Sequence, residues 1–334
     1  MSHDVTGTVA TPPQARANRQ TRRRMRFVPS ALLAGAAGIV APLAFATAPA
    51  SAAAPTVSGY TLVTNAGGVF GFGSAPNAGG ALGLATGPVV GIAPTSTGKG
   101  YWVATANGGV FTFGDAKFYG SLGATAITAP VVAIVPTATG NGYYLVTANG
   151  GVFTFGDAHF YGSAGNLALA SPIVGISLTS TGKGYYLVGA DGGVFTYGDA
   201  AYAGNLSTTF GGPSPDGNAV GIAANPVGPG YLIATSEGNI ISYGGAPFFG
   251  SPALSGITPA EPLVAIEYAP DGTGYWAVGA DGGIFAYNSS VTVGTGSSSS
   301  LSVTGHAGFF GSVPGELGAA GVTIPTVVGI APTL

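Results

Sequence analysis

The stretch "GGVFTFGDA" stands unchanged at Gly108–Ala116 and Gly150–Ala158, and returns as "GGVFTYGDA" at Gly192–Ala200. A catalytic motif is needed once, whereas a structural unit is needed many times. Aligning the chain on Gly-Tyr extends the pattern: the pairs begin at Gly59, Gly100, Gly142, Gly184, Gly230 and Gly274. Regular recurrence at this interval is the mark of a repeat architecture.

The unit starting at Gly142 shows what repeats. "GYYLVTA" is a short apolar run, "NGG" a turn, "VFTF" a second run, "GDA" a turn, and "HFYGS" a third run. A Gly/Ala-rich loop then leads to "PIVGISL" from Pro172, a fourth run. Short β-type runs broken by Gly, Asn, Asp and Pro predict a four-stranded antiparallel meander. No stretch after the first fifty residues has helical periodicity with caps. Both alternating faces of "YYLV" are apolar, so both faces of each sheet must be covered. A radial stack of small sheets achieves this, each packed by the one before and the one after. The sequence therefore predicts an all-β, six-bladed β-propeller of four-stranded antiparallel blades. Six Gly-Tyr runs match six "VVGI"-type runs, at Val89, Val131, Ile173, Ala219, Leu263 and Val327. The expected closure pairs the C-terminal run with the N-terminal blade, removing open edges. A pair of β-trefoils and a β-solenoid are the alternatives, without the sequence signatures or repeat lengths that favour them.

The N-terminus reads differently. Residues 1–26 carry every arginine, and an apolar run follows from Phe27 to Phe45. Two small-x-small patterns, Ala46–Ala48 and Ala50–Ala52, come next. That order makes an export signal over 1–52, cleaved in the mature protein, with a retained anchor helix as the rival. The repeat domain is then 53–334, with a Ser/Gly-rich loop insertion at 288–305. Beyond residue 52 there are three lysines, no arginine and eleven acids, a net charge of −8. Nucleic-acid binding is excluded, because phosphate contacts need cations. Attraction to anionic lipid fails likewise, leaving the signal segment as the membrane contact. The absence of cysteine excludes a disulfide framework, so stability must come from the core.

The pattern G-Y-[WY]-x-V-x-[AT]-[DN]-G-G-V-F-x-[FY]-G-D-A-x-F-Y-G-S followed by V-V-G-I resembles a repeat of exported actinobacterial proteins. There it stands alone or beside cell-wall hydrolases. The resemblance covers the chain after the signal and is closest from Gly100 to Ala200. It implies a propeller-like fold and an extracellular, cell-wall-associated location, and carries over no catalytic residue.

The search for chemistry is mostly negative. His159 and His306 occupy a repeat position that elsewhere holds Lys117, Ala201 or Pro247, so they read as turn residues rather than metal ligands. Asp115, Asp157 and Asp199 belong to three different blades, and each is expected to hold its own turn through local amides. No Gly-x-Ser-x-Gly occurs, and the glutamates Glu237, Glu261, Glu267 and Glu316 form no obvious pair. No cofactor or metal is expected. The aromatic pairs read first as packing between blades, with the "FYG" rings nearest the surface. The expected function is a monomeric, non-catalytic binding module at the cell envelope, taking a cell-wall polysaccharide or an extracellular protein. An enzyme with a site in the central channel, near Pro213–Asn218 and Glu261–Glu267, is the alternative, and a purely structural role the third. The expected ligand face carries the hairpin residues Asn107, Asn149, Asp191, Glu237 and Asp281. It is polar and acidic, while the opposite face mixes Lys99, Lys117 and Lys183 with aspartates.

Overall fold

The structure is a computed structural model that describes residues 58–210, 217–288, 308–313 and 325–333. The segment 1–52 and the Ser-rich residues after Asn288, including His306, lie outside the described residues.

Eighteen strands are described. In chain order they are β1 Gly59–Thr64, β2 Val69–Gly73, β3 Val89–Pro94, β4 Tyr101–Thr105, β5 Val110–Phe113 and β6 Val131–Pro136. Next come β7 Gly142–Thr147, β8 Val152–Gly156, β9 Ile173–Leu178, β10 Gly184–Gly189, β11 Val194–Gly198 and β12 Ala219–Ala224. The last are β13 Tyr231–Thr235, β14 Ile240–Tyr243, β15 Leu263–Tyr268, β16 Gly274–Gly279, β17 Ile284–Asn288 and β18 Val327–Thr333. They form six antiparallel three-stranded sheets. The first has the order β18-β1-β2, and the others are the consecutive triplets from β3-β4-β5 to β15-β16-β17.

The middle strand of every sheet is buried from end to end. That is why both faces of "YYLV" are apolar. Six hydrophobic clusters lie between sheets, each drawing residues from two neighbours. One joins Trp102 and Ala104 to Val131, Tyr143 and Leu145. Another joins Trp276 and Val278 of the sixth sheet to Tyr60, Val327 and Ile330 of the first. Backbone bonds follow the same cycle. The amide opening each first strand donates to the hairpin of the sheet before: Val131 N to Ala106 O, Ile173 N to Ala148 O, and Val327 N to Ala280 O, each at 2.8–2.9 Å. The C-terminal run pairs with the N-terminal one as expected, from Gly59 opposite Thr333 to Thr64 opposite Val327.

The expectation of a fourth strand is corrected. The "FYGS" run is not a strand in any sheet. Its glycine takes positive φ, +133° at Gly120, +136° at Gly162 and +145° at Gly311, which breaks an extended ladder. Its backbone is held by a side chain instead. The Tyr143 hydroxyl accepts from Tyr119 N at 3.3 Å and donates to Gly120 O at 2.5 Å. The same two bonds recur from Tyr185 to Tyr161 and Gly162, from Tyr275 to Phe249 and Gly250, and from Tyr60 to Phe310 and Gly311. Tyr101 and Tyr231 make the equivalent pairs. In each case the phenol of one sheet clamps the run leaving the previous sheet. Burial pushes the Tyr185 phenol up to about 12, so it stays protonated and able to donate.

The clamp explains its glycine. A Cβ on Gly120 would lie 2.7 Å from Phe155 Cδ1, and on Gly162 2.5 Å from Tyr197 Cδ1. Phe155 packs on Tyr143 across the strand pair, with ring centroids 5.5 Å apart. Phenol, third-strand ring and glycine therefore form one contact. The second aromatic of each pair secures the run of its own unit: Trp102 Nε1 donates to Lys117 O at 2.7 Å, and Trp276 Nε1 to Gly308 O at 2.8 Å. The fifth sheet has Leu232 at that position, and Tyr268 of the sixth sheet donates to Pro247 O instead, at 2.6 Å.

A short helix, α1 Leu206–Phe210, is a second departure from expectation. Asn205 caps it, with Oδ1 accepting from Thr208 N at 2.7 Å. A single capped turn is too short to leave periodicity in the sequence.

Tyr143→Phe should leave the Tyr119 amide and the Gly120 carbonyl without their partner and cost about 1–3 kcal/mol in denaturant unfolding. Gly120→Ala should cost more, because it meets both positive φ and the Phe155 ring. Equal stability of wild type and Gly120→Ala would contradict the clamp.

Candidate functional site

The expected ligand residues sit at the hairpin between the middle and outer strands of five successive sheets. Each stands at the same end of its own sheet, and each belongs to a different sheet. Asn107, Asn149, Asp191 and Glu237 are exposed, and Asp281 is half-buried. Much of their hydrogen-bonding capacity is already used. Asn107 Oδ1 accepts from the Thr105 hydroxyl at 2.5 Å, and its Nδ2 donates to Thr86 Oγ1 at 3.0 Å. Asn149 repeats this with Thr147 and Thr128. Asp191 and Asp281 each accept from the amide two residues on, Gly193 N at 3.0 Å and Gly283 N at 2.9 Å. These side chains shape the hairpin, and one oxygen of each aspartate is left for solvent or ligand.

At the opposite end, the "GDA" aspartates hold a second loop rather than only their own turn. Asp115 accepts from the hydroxyls of Thr95, at 2.9 Å, and Thr97. Asp157 accepts from Thr137 and Thr139 at 2.8 and 2.5 Å, and Asp199 from Thr179 and Thr181 at 2.8 and 2.5 Å. The Thr97 hydroxyl is the main cause holding the Asp115 carboxyl below its ordinary value, and Thr181 does the same for Asp199. The fixed spacing of Thr-x-Thr before each Gly-Asp carries this pairing in the sequence. No group of three or more potential metal ligands occurs among the described residues.

A cleft of about 280 Å³ opens beside Asp199. It is lined by Thr179, Thr181, Tyr186, Ala224, Asn225 and Pro229, among others. Asn225 is engaged with adjoining backbone, donating to Pro229 O and accepting from Val227 N.

Glu267 is different. It stands on β15, a first strand, and first strands pack on one another between successive sheets. At the matching position the other sheets carry Ala93, Val135, Ser177, Ala223 and Ala331. The Glu267 side chain is exposed to solvent, with the first strands of the neighbouring sheets packed beside its own. Desolvation there pushes its pKa up to about 7. Of the alternative channel site, Gly217, Asn218 and Glu261–Glu267 are described. Glu261 is exposed at the loop before β15, and among the described residues no second carboxylate is placed with Glu267.

The aromatic rings divide into two sets. Tyr60, Tyr101, Tyr143, Tyr185, Tyr231 and Tyr275 are buried with Trp102 and Trp276, as the packing reading expects. Phe118, Phe160, Tyr202, Phe248 and Phe309 are exposed, by 60, 52, 52, 43 and 37%. They occupy one position, directly before the residue whose amide the clamping phenol accepts.

No family model matches the chain, and no curated protein matches it. Among solved structures it is similar to a β-propeller chain in the "Crystal structure of Nidogen/Laminin Complex", at 10% identity and a TM-score of 0.53. The match covers 83% of this chain and 98% of that one. The likeness is one of fold, and it makes the arrangement of six sheets propeller-like.

The raised Glu267 pKa has a thermodynamic consequence. The folded state binds its proton more tightly than the unfolded chain, whose value is near 4.5. This contribution to stability is full below about pH 4.5 and is lost as pH rises through about 7. Glu267→Gln should therefore melt like wild type at pH 4 and above it at pH 8. Melting temperatures of the two proteins that differ equally at both pH values would refute the raised pKa of Glu267.

Proposed function

We propose that the chain is an exported, closed six-bladed β-propeller that serves as a binding module at the cell envelope. Its ligand is a cell-wall polysaccharide or an extracellular protein, and it performs no catalytic step of its own. One observation carries this reading. The most regular side chains of the repeat join one sheet to the next, and the surface groups left over recur from sheet to sheet as well. A catalytic centre needs different groups converging at one place. A surface repeated around a ring suits a ligand that is itself repetitive, because several weak contacts add through effective concentration.

The cycle of inter-sheet clusters, with β18 beside β1, supports the closed ring. The likeness to a chain from a nidogen/laminin complex supports recognition as a use of this fold, although fold alone does not assign function. Placement at the envelope rests on the arginine-rich start, the apolar run and the small-x-small patterns. It also rests on the resemblance to exported actinobacterial repeats.

A second reading, a hydrolase or lyase with its site in the central channel, is favoured by Glu267 alone. A carboxyl with a pKa near neutrality suits a general acid, but among the described residues no second carboxylate stands with it for such chemistry.

Two experiments test the proposal. Purified protein incubated with the producing cell's envelope fractions, untreated or stripped of protein, should co-sediment with at least one of them. Failure to bind either would reject the binding module. Deleting Val327–Leu334 should abolish cooperative melting, because it removes the partner of β1 and exposes the sixth sheet. An unchanged, cooperative transition would reject the closed ring.

A further inference from the structure

We propose that Phe118, Phe160, Tyr202, Phe248 and Phe309 form a repeated stacking surface for a low-charge, β-linked polysaccharide. The proposal deepens the binding-module reading and rests on it.

The first argument comes from comparing the repeats with one another. Copies of a repeat drift where nothing holds them. The position before the exposed ring has drifted, reading Pro76, Lys117, His159, Ala201, Pro247 and, in the last unit, Gly308 rather than His306. The position after it carries half-buried aromatics in four units, yet falls to alanine at Ala78 and Ala203. The exposed position between them stays aromatic in five of six units, with Asn77 the exception. Burial does not account for this, since the better-buried neighbour is the one that was lost. Water penalises exposed phenylalanine without compensation. Retention at the surface therefore points to a contact made outside the chain.

The second argument concerns the occupant. Four of the five side chains are phenylalanine, so they offer a flat face and no hydrogen bond. An aromatic face is electron-rich and its edge electron-poor, so it attracts the C–H groups on the apolar face of an equatorial sugar ring. Each aromatic belongs to a different sheet, on the run after the outer strand. A protein partner concentrates its binding energy in one compact, desolvated centre, which five separated rings do not form. A linear polymer presents the same face again and again. Charge also selects: only Lys99, Lys117 and Lys183 are basic beyond residue 52. They stand at this end of the sheets, Lys99 near Asp115 and Lys183 near Asp199, so cation and carboxylate offset one another. The surroundings thus favour a polymer of low charge over a polyanion.

The test is retention of the purified protein on insoluble chitin, on cellulose and on protein-free peptidoglycan. Three combined variants are compared: Phe118→Tyr/Phe160→Tyr/Phe248→Tyr, the same positions to Leu, and Asn107→Ala/Asn149→Ala/Asp191→Ala. Melting curves confirm that each is folded. Wild type and the tyrosine variant should bind at least one polysaccharide. The leucine variant keeps the apolar character but loses the flat face, and its affinity should fall at least tenfold. Equal binding by the leucine variant overturns the proposal. So does a loss confined to the hairpin variant, which would move the site to the hairpin end and leave the module reading intact. A wild type that binds no polysaccharide but is captured by untreated envelope also overturns the proposal, in favour of a protein ligand. Binding to neither removes both readings. If the leucine substitutions prevent folding, single Phe118→Leu and Phe160→Leu variants replace them, each expected to weaken binding measurably.

Discussion

The fold depends on a phenol reaching across to the backbone of the preceding unit. Each clamping tyrosine fills two backbone groups that a fourth strand would otherwise have satisfied, and does so beside a ring that only glycine can approach. The contact is directional: unit by unit, the later sheet holds the run leaving the earlier one. Tyr60 holds Phe310 and Gly311, some 250 residues away, so the first sheet does for the last what every other sheet does for its predecessor. An unpaired buried amide or carbonyl costs more than one hydrogen bond returns. The arrangement is therefore strict about tyrosine and glycine and permissive about the residues between them.

Much of this architecture was legible in the sequence. The recurring Gly-Tyr pairs, the apolar middle strand and the matching end runs led directly to six sheets, burial on both faces and the β18–β1 pairing. The fourth strand was misread because "HFYGS" has strand-like composition. Its glycine was the warning, but a glycine can mark a bulge as easily as a break. The hydroxyl that replaces the ladder comes from the next unit, and composition says nothing of that. The aspartates were rightly placed in turns, while their threonine partners were overlooked because the pairing crosses from the third strand to the loop after the first. Glu267 showed as an unpaired glutamate at the end of the alternative channel segment Glu261–Glu267. Its desolvation follows from a position on a first strand, where the other units carry small or apolar residues and one serine.

Side chains that serve structure and those available for recognition separate cleanly at the aromatic positions. In "YW" and "YY", both rings face inward and hold backbone, one in the preceding unit and one in its own. In "FYG" the first ring faces water and the second is half-buried against the next sheet. Neighbouring residues of the same chemical type thus have opposite environments, and alternation along an extended segment is what separates them. The hairpin residues are intermediate, since they brace their own turn and still leave polar atoms outside. Recognition on this scaffold can change at exposed positions without disturbing the joints, because the two sets share no side chain.

Three strands per sheet leave every outer strand with one edge unpaired. Such edges invite pairing with another chain. Here each is only four or five residues long. In five of the six sheets a positive-φ glycine closes the strand or follows it, as at Gly73, Gly114, Gly156, Gly198 and Gly244. An incoming strand would find room for few ladder bonds before the backbone turned away. The brevity that makes each sheet dependent on its neighbours thus also limits unwanted assembly, and in a crowded medium it keeps a molecule with six open edges from becoming a template for fibres.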